Sequence, residues 1–123
     1  MAGLSTGTRN SILDAIGNAT AFSYSAVWIQ LHTADPGSAG TTAVASNNTR
    51  KSVSFGAASA GSMTTDADIL WSSVGAAETY SHISLWDASS AGTFIGSAAL
   101  TASKTVAIGD NFRIPTGSLT ITD

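Results

Sequence analysis

The chain has 123 residues, 43% of them hydrophobic and only 11% charged, with five basic against eight acidic side chains and a formal net charge of −3. That length fits one domain with a modest core. The charge balance excludes a nucleic-acid surface that works by counterion release, because no basic cluster exceeds the pair Arg50-Lys51.

The first residues read as a helix over 5–18. Ile12, Leu13 and Ile16 fall on one helical face, with Leu4 just ahead of them. Ser5, Thr6 or Thr8 can cap the start, and Gly17-Asn18 is a stop signal. Such a short helix must dock on something to persist. Two-residue alternation follows. Val27, Ile29 and Leu31 point one way and Trp28, Gln30 and His32 the other. Asp35-Pro36-Gly37 predicts a structural turn, since Pro presets φ and Gly permits positive φ. Residues 41–48 read as a loop or edge strand, 52–55 as a strand, 56–65 as a loop and 69–71 as a short strand. From 80 to 86, Ile83 and Leu85 share one face and Tyr80, His82, Ser84 and Trp86 the other. Residues 87–92 form a turn, and strands are expected over 93–100, 104–108, 111–114 and 118–122. Gly109-Asp110 is a candidate hairpin turn, and Pro115-Thr116-Gly117 a second turn.

Seven or eight short strands at this spacing, about 8–12 residues apart, predict a mainly β protein. The expected fold is an antiparallel β-sandwich or barrel-like domain with one short N-terminal helix. Residues 1–20 form the helix and a possible anchor, and residues 21–123 a single β domain. No internal repeat is present, so no fibrous shaft is encoded. Ser, Thr, Ala, Gly and Asn fill the surface positions. A polar but nearly neutral surface suits packing against copies of the same chain, because few charges need desolvation. Cysteine is absent, which removes disulfides and thiolate chemistry. No signal peptide and no membrane span are read, so synthesis in a cytoplasm is expected.

Candidate chemistry is sparse. His32 and His82, with Asp35 or Asp87, could be imagined as a metal or acid–base site, but the spacing matches no metal motif. The plainer reading is that Asp35 organises its turn and the histidines hydrogen-bond locally. No G-x-S-x-G elbow occurs. Asp66 and Asp68 form a lone D-x-D, and Glu78 is the only glutamate, so a paired-glutamate mechanism is not available. At least two of Trp28, Trp71 and Trp86 are expected in the core or a subunit interface. No catalytic, cofactor-binding or metal-ligating residue is predicted. Trp28, His32, Arg50, His82 and Trp86 are the candidate interface residues.

Three blocks carry a more specific signal. Residues 28–40 read WIQLHTADPGSAG, residues 49–61 read TRKSVSFGAASAG, and residues 81–97 read SHISLWDASSAGTFIGS, followed by AALTASKTVAIGD. Together they resemble a family of small virion proteins of tailed phages, especially phages of actinobacteria, often labelled tail fibre or minor tail proteins. The resemblance covers nearly the whole chain, and the blocks stand in the family's order. The chain departs from the family pattern at residues 41–48, where members often carry a Glu and Tyr-Ala before the arginine. The resemblance implies a non-enzymatic structural protein of the virion surface. Without a shaft repeat, a head decoration protein that stabilises the capsid is the first expectation. A tail fibre or minor tail protein in contact with the host is the alternative, and a carbohydrate-binding module comes third. The implied partners are copies of itself, a trimer by analogy, together with phage capsid or tail proteins. A host surface glycan enters only under the alternative. Neither nucleic acid nor a membrane is an expected partner.

Overall fold

The computed structural model describes residues 3–122. Its elements in chain order are β1 (Gly3–Leu4), α1 (Thr6–Gly17), β2 (Trp28–His32), β3 (Lys51–Ser52), β4 (Ser62–Thr64), β5 (Ile69–Trp71), β6 (Glu78–Trp86), β7 (Phe94–Val106), β8 (Phe112–Ile114) and β9 (Thr120–Thr122). The main sheet is antiparallel with strand order β1-β7-β6-β2-β3, and two antiparallel ribbons, β4-β9 and β5-β8, accompany it. The architecture is the mainly β, sandwich-like one that the strand spacing predicts. No described helix is long and apolar enough to cross a membrane.

The core is one cluster shared by sheet and ribbons. Ile29, Leu31, Ile83 and Leu85 from the sheet are fully enclosed, and Ile69, Trp71, Phe112, Ile114, Leu119 and Ile121 meet them from the ribbons and the approach to β9. The alternation read over 27–31 therefore points at the core, with Val27 half-buried against it. Direct pairing of Ile29 with Leu85 and of Leu31 with Ile83 places these side chains side by side on one face.

Tyr80 departs from the predicted alternation. It is fully buried on the core side, with its ring 5.0 Å from that of Phe112. The reason is an irregularity in the β6–β7 ladder: Tyr80 pairs with Lys104 and His82 with Ala99, so one residue of β6 faces four of β7 between these pairs. Such a bulge reverses the facing of everything beyond it. The same irregularity lies inside a single long β7, where two strands are expected. Gly109-Asp110 does make a tight turn, with the Asp110 amide donating to the Ala107 carbonyl at 3.0 Å. It is not a hairpin, because β8 pairs with β5 rather than returning along β7.

The stretch read as a loop over 56–65 is a hairpin. Phe55 bridges Thr65, and Ser59 and Ser62 exchange backbone bonds of 2.8 and 3.0 Å around Ala60 and Gly61. Both central residues have positive φ, 51° and 78°, the geometry of a type I′ turn. Sequence reasoning misses it because alanine is a poor signal for that conformation. Ala60→Asn places the preferred residue there and is expected to stabilise the protein by about 0.5–1 kcal/mol. Urea unfolding that shows no rise in midpoint at constant slope would remove the turn assignment.

Helix α1 forms where predicted, with Ser5 as N-cap accepting from the Thr8 amide at 3.2 Å and Asn18 as C-cap. Its docking, however, is polar. The Ser5 amide and the Thr8 hydroxyl both donate to the Ile95 carbonyl at 2.8 Å, and the Ser5 hydroxyl donates to the Phe94 carbonyl at 3.0 Å. Thr8 is the buried residue of the helix, whereas Leu13 is 63% and Ile16 77% exposed.

Candidate functional site: the loop-covered outer face of the sheet

The face of the main sheet opposite the core is also largely buried. Alternation along β2 and β6 sends Gln30, His32, Ser84 and Trp86 to that side, and all four are buried, with His32 and Ser84 fully enclosed. The cover is the loop after β2, folded back over the strands. Its root is a short antiparallel ladder in which the Thr33 amide donates to the Ala43 carbonyl at 3.0 Å and the Ala45 amide to the Leu31 carbonyl at 3.1 Å. Its tip is the predicted Asp35-Pro36-Gly37 turn. The Asp35 carboxylate accepts from the Gly37 amide at 2.9 Å, Gly37 has φ +79°, and Pro36 is buried. Further on, Gly40 lies against the Phe94 ring so closely that no side chain fits.

A chain of hydrogen bonds joins loop and sheet. The Trp86 indole N–H donates to Ser84 Oγ at 2.7 Å, and His32 Nε2 lies 2.7 Å from the same oxygen. His32 Nδ1 lies 2.8 Å from the Thr42 carbonyl oxygen. A carbonyl only accepts, so Nδ1 carries the ring hydrogen and Nε2 accepts from the Ser84 hydroxyl. The Ser84–His32 distance is that of a nucleophile and its base, yet both residues are fully enclosed. The arrangement fixes the loop rather than presenting a hydroxyl to a substrate.

The other end of this face is closed by Arg50. Its guanidinium lies 4.3 Å over the Trp86 ring and donates to the carbonyls of Ala88 and Ala91 at 2.8 and 2.7 Å. It thus clamps the β6–β7 turn, which Asp87 also ties by accepting from the Thr93 amide at 2.7 Å. Burial pushes the Arg50 pKa down, against the neighbouring charge of Asp87. Phe94 completes the cluster, 5.4 Å from Trp86. A second clamp holds the end of the loop. The Glu78 carboxylate accepts from the Ser46 and Asn47 amides at 2.9 and 3.0 Å. Burial opposes its charge, but these two amides together hold the carboxyl below its ordinary value.

The candidate residues therefore converge on one face. Trp28 stands directly opposite Trp86, and His32 opposite His82. Trp28, Arg50 and His82 are half-exposed, while His32 and Trp86 are spent on internal packing. Ser84, Phe94, Gly40, Asp87 and Glu78 complete the arrangement, and the packing and hydrogen-bonding parts they play in it are missed by sequence reasoning. Position on the outer face is the only signal that could have marked Ser84. Asp68, singled out in the D-x-D, is taken up by the Thr116 amide and hydroxyl at 2.7 and 2.9 Å, with Arg113 at 3.4 Å. Among the described residues no group of three or more metal-ligating side chains is gathered.

The three sequence blocks are the three walls of this structure: β2 with its loop, the Arg50 clamp, and β6 with its turn into β7. No curated protein matches the chain. The family model described as podophage GP4 fiber I protein gp80 matches residues 3–122. A family named for a fibre is a family of virion components, and it favours the fibre alternative over head decoration. The missing shaft repeat speaks only of how this domain is built and not of what it is attached to. With nearly every residue matched, the chain belongs to the podophage GP4 fiber I protein gp80 family of small phage structural proteins.

Proposed function

We propose that the protein is a non-enzymatic building block of a phage tail fibre, assembled with copies of itself through α1. The observation that carries this reading is the exposure of Leu13 and Ile16, 63% and 77%, on a helix that its polar first turn already fixes to the domain. Ile12 of the same helix lines an apolar cleft of about 230 Å³ with Leu4, Met63 and Ile121. Adjoining apolar surface of this kind marks an interaction site. Only Arg9 and Asp14 are charged along α1, so identical helices can approach without like charges in register. This face is the anchor, and the outer face gives the subunit its rigidity.

The variant Leu13→Ser with Ile16→Ser tests the reading. Both side chains are exposed, so monomer stability is expected to change by no more than about 0.5 kcal/mol. Sedimentation velocity is expected to show an oligomer for the wild type and a monomer for the variant. Particles complemented with the variant are expected to carry less of the protein on their fibres. Attachment that rests on apolar contact should also survive a wash in about 1 M salt, where the screening length is roughly 3 Å, and yield to mild denaturant. A monomeric wild type, or full release by salt alone, refutes assembly through this face.

A further inference from the structure

Every residue from 100 to 104 and from 111 to 115, together with Ser118, lines a cleft of about 280 Å³ between β7 and β8. A cleft over the face of a strand is lined by alternate residues, because side chains alternate from one side to the other. Unbroken runs mark the edges of two strands instead. Phe112 and Ile114 are buried in the core and Arg113 is exposed, yet all three line the cleft. Neither edge has a strand partner among the described residues. β8 pairs with β5 alone. Residues 100–103 are the part of β7 that the β6 ladder skips, between the pairs Tyr80–Lys104 and His82–Ala99, and β1 reaches β7 only at Gly96 and Ser97. One end of the cleft is held by side chains. The Thr101 hydroxyl donates to the Ser118 carbonyl, and the Ser118 hydroxyl to the Pro115 carbonyl, both at 2.7 Å.

Open edges are templates for a further strand, and charge decides which strand fits. Two of the five basic residues of the chain, Lys104 and Arg113, line this cleft, and no acidic residue does. Asp68 lies 3.4 Å from Arg113, but both side chains are more than half exposed, and such a pair holds weakly. A second copy offering the same edge across a two-fold axis would bring the same two cations to the contact, and like charges across paired strands are unfavourable. An extended chain that carries carboxylates meets the opposite field. We infer that the β7–β8 cleft is a strand-addition site for an extended, acidic segment of a different protein chain. The backbone of that segment pairs with the open edges, and its carboxylates face Lys104 and Arg113. The site is separate from the assembly face on α1, since the two clefts share no residue.

Amide NMR of the isotope-labelled protein tests the site with three capped pentapeptides. One alternates valine with aspartate, one alternates valine with lysine, and one is the aspartate peptide with proline at its centre. The aspartate peptide is expected to shift the amides of residues 100–104 and 112–114 and to slow their hydrogen exchange. The lysine peptide is expected to bind at least about fivefold more weakly. So is the proline peptide, which keeps the charge and loses a ladder donor. Lys104→Glu, at an exposed position, is expected to weaken the aspartate peptide by about fivefold. Absence of shifts, shifts centred elsewhere, or equal binding of the aspartate and lysine peptides overturns the proposal. Equal binding of the aspartate and proline peptides overturns strand addition, leaving charge attraction alone. Protection of these amides that grows with protein concentration, without any peptide, assigns the edge to a second copy and overturns the proposal as well.

Discussion

Trp71→Ala is expected to cost about 3–5 kcal/mol, the range for truncating a buried large aromatic side chain. Trp71 is 1% exposed on β5 and lies 5.7 Å from the Phe112 ring, which in turn contacts Tyr80. The indole therefore backs Phe112, the ring through which the β5-β8 ribbon meets β6 of the main sheet. Its N–H also donates to the Thr49 carbonyl at 2.8 Å, just ahead of Arg50. Truncation leaves a cavity between sheet and ribbon and an unpaired carbonyl beside the Arg50 clamp. Trp71→Phe keeps much of the apolar volume and loses the hydrogen bond, so its cost is expected to be smaller, about 1–2 kcal/mol. Urea unfolding followed by circular dichroism measures both. Equal midpoints for wild type and Trp71→Ala would take Trp71 out of the core.

Gly40→Val is expected to cost about 2–5 kcal/mol, from two sources. Gly40 has φ +74°, a conformation that penalises a side chain by about 1–2 kcal/mol and a β-branched one most. A Cβ there would also lie 2.5 Å from a carbon of the Phe94 ring, and overpacking of that kind adds about 1–3 kcal/mol. The ring cannot swing freely, because Trp86 packs 5.4 Å from it and Arg50 covers Trp86. The loop yields instead, so faster proteolysis within residues 33–45 is expected while the core stays folded. Gly37→Ala is the milder comparison. Its φ is +79°, but the new Cβ would meet only the Thr42 side chain, its hydroxyl at 3.0 Å and its Cβ at 3.5 Å, and the cost should stay at about 1–2 kcal/mol. A Gly40→Val protein with wild-type stability and loop protection would show that the loop does not rest on Phe94.

The sequence by itself determined what neighbouring residues decide. Alternation over 27–31 fixes which side of β2 meets the core, because side chains alternate with a period of two wherever the backbone is extended. Ser5 caps the helix and Asp35-Pro36-Gly37 turns the chain because the relevant bonds span two or three residues. The convergence of the three blocks on a virion protein family was legible in the same way, as local text. The tertiary structure alone decided the rest. Tyr80 sits in the core because the ladder slips beside it, and a slip is a property of two strands together. β4 finds β9, and β5 finds β8 rather than closing a hairpin with β7, since pairing partners are chosen by burial across the whole domain. His32 bonds Ser84 from 52 positions away, and no local pattern marks either residue for the other. Helix α1 has an apolar face that the sequence points at a core, yet its polar start donates three hydrogen bonds, from the Ser5 amide and hydroxyl and the Thr8 hydroxyl, to carbonyls of β7 and leaves Leu13 and Ile16 in water. Local periodicity sets how a segment can fold, and competition among distant segments for the same buried surface sets which of its faces is used.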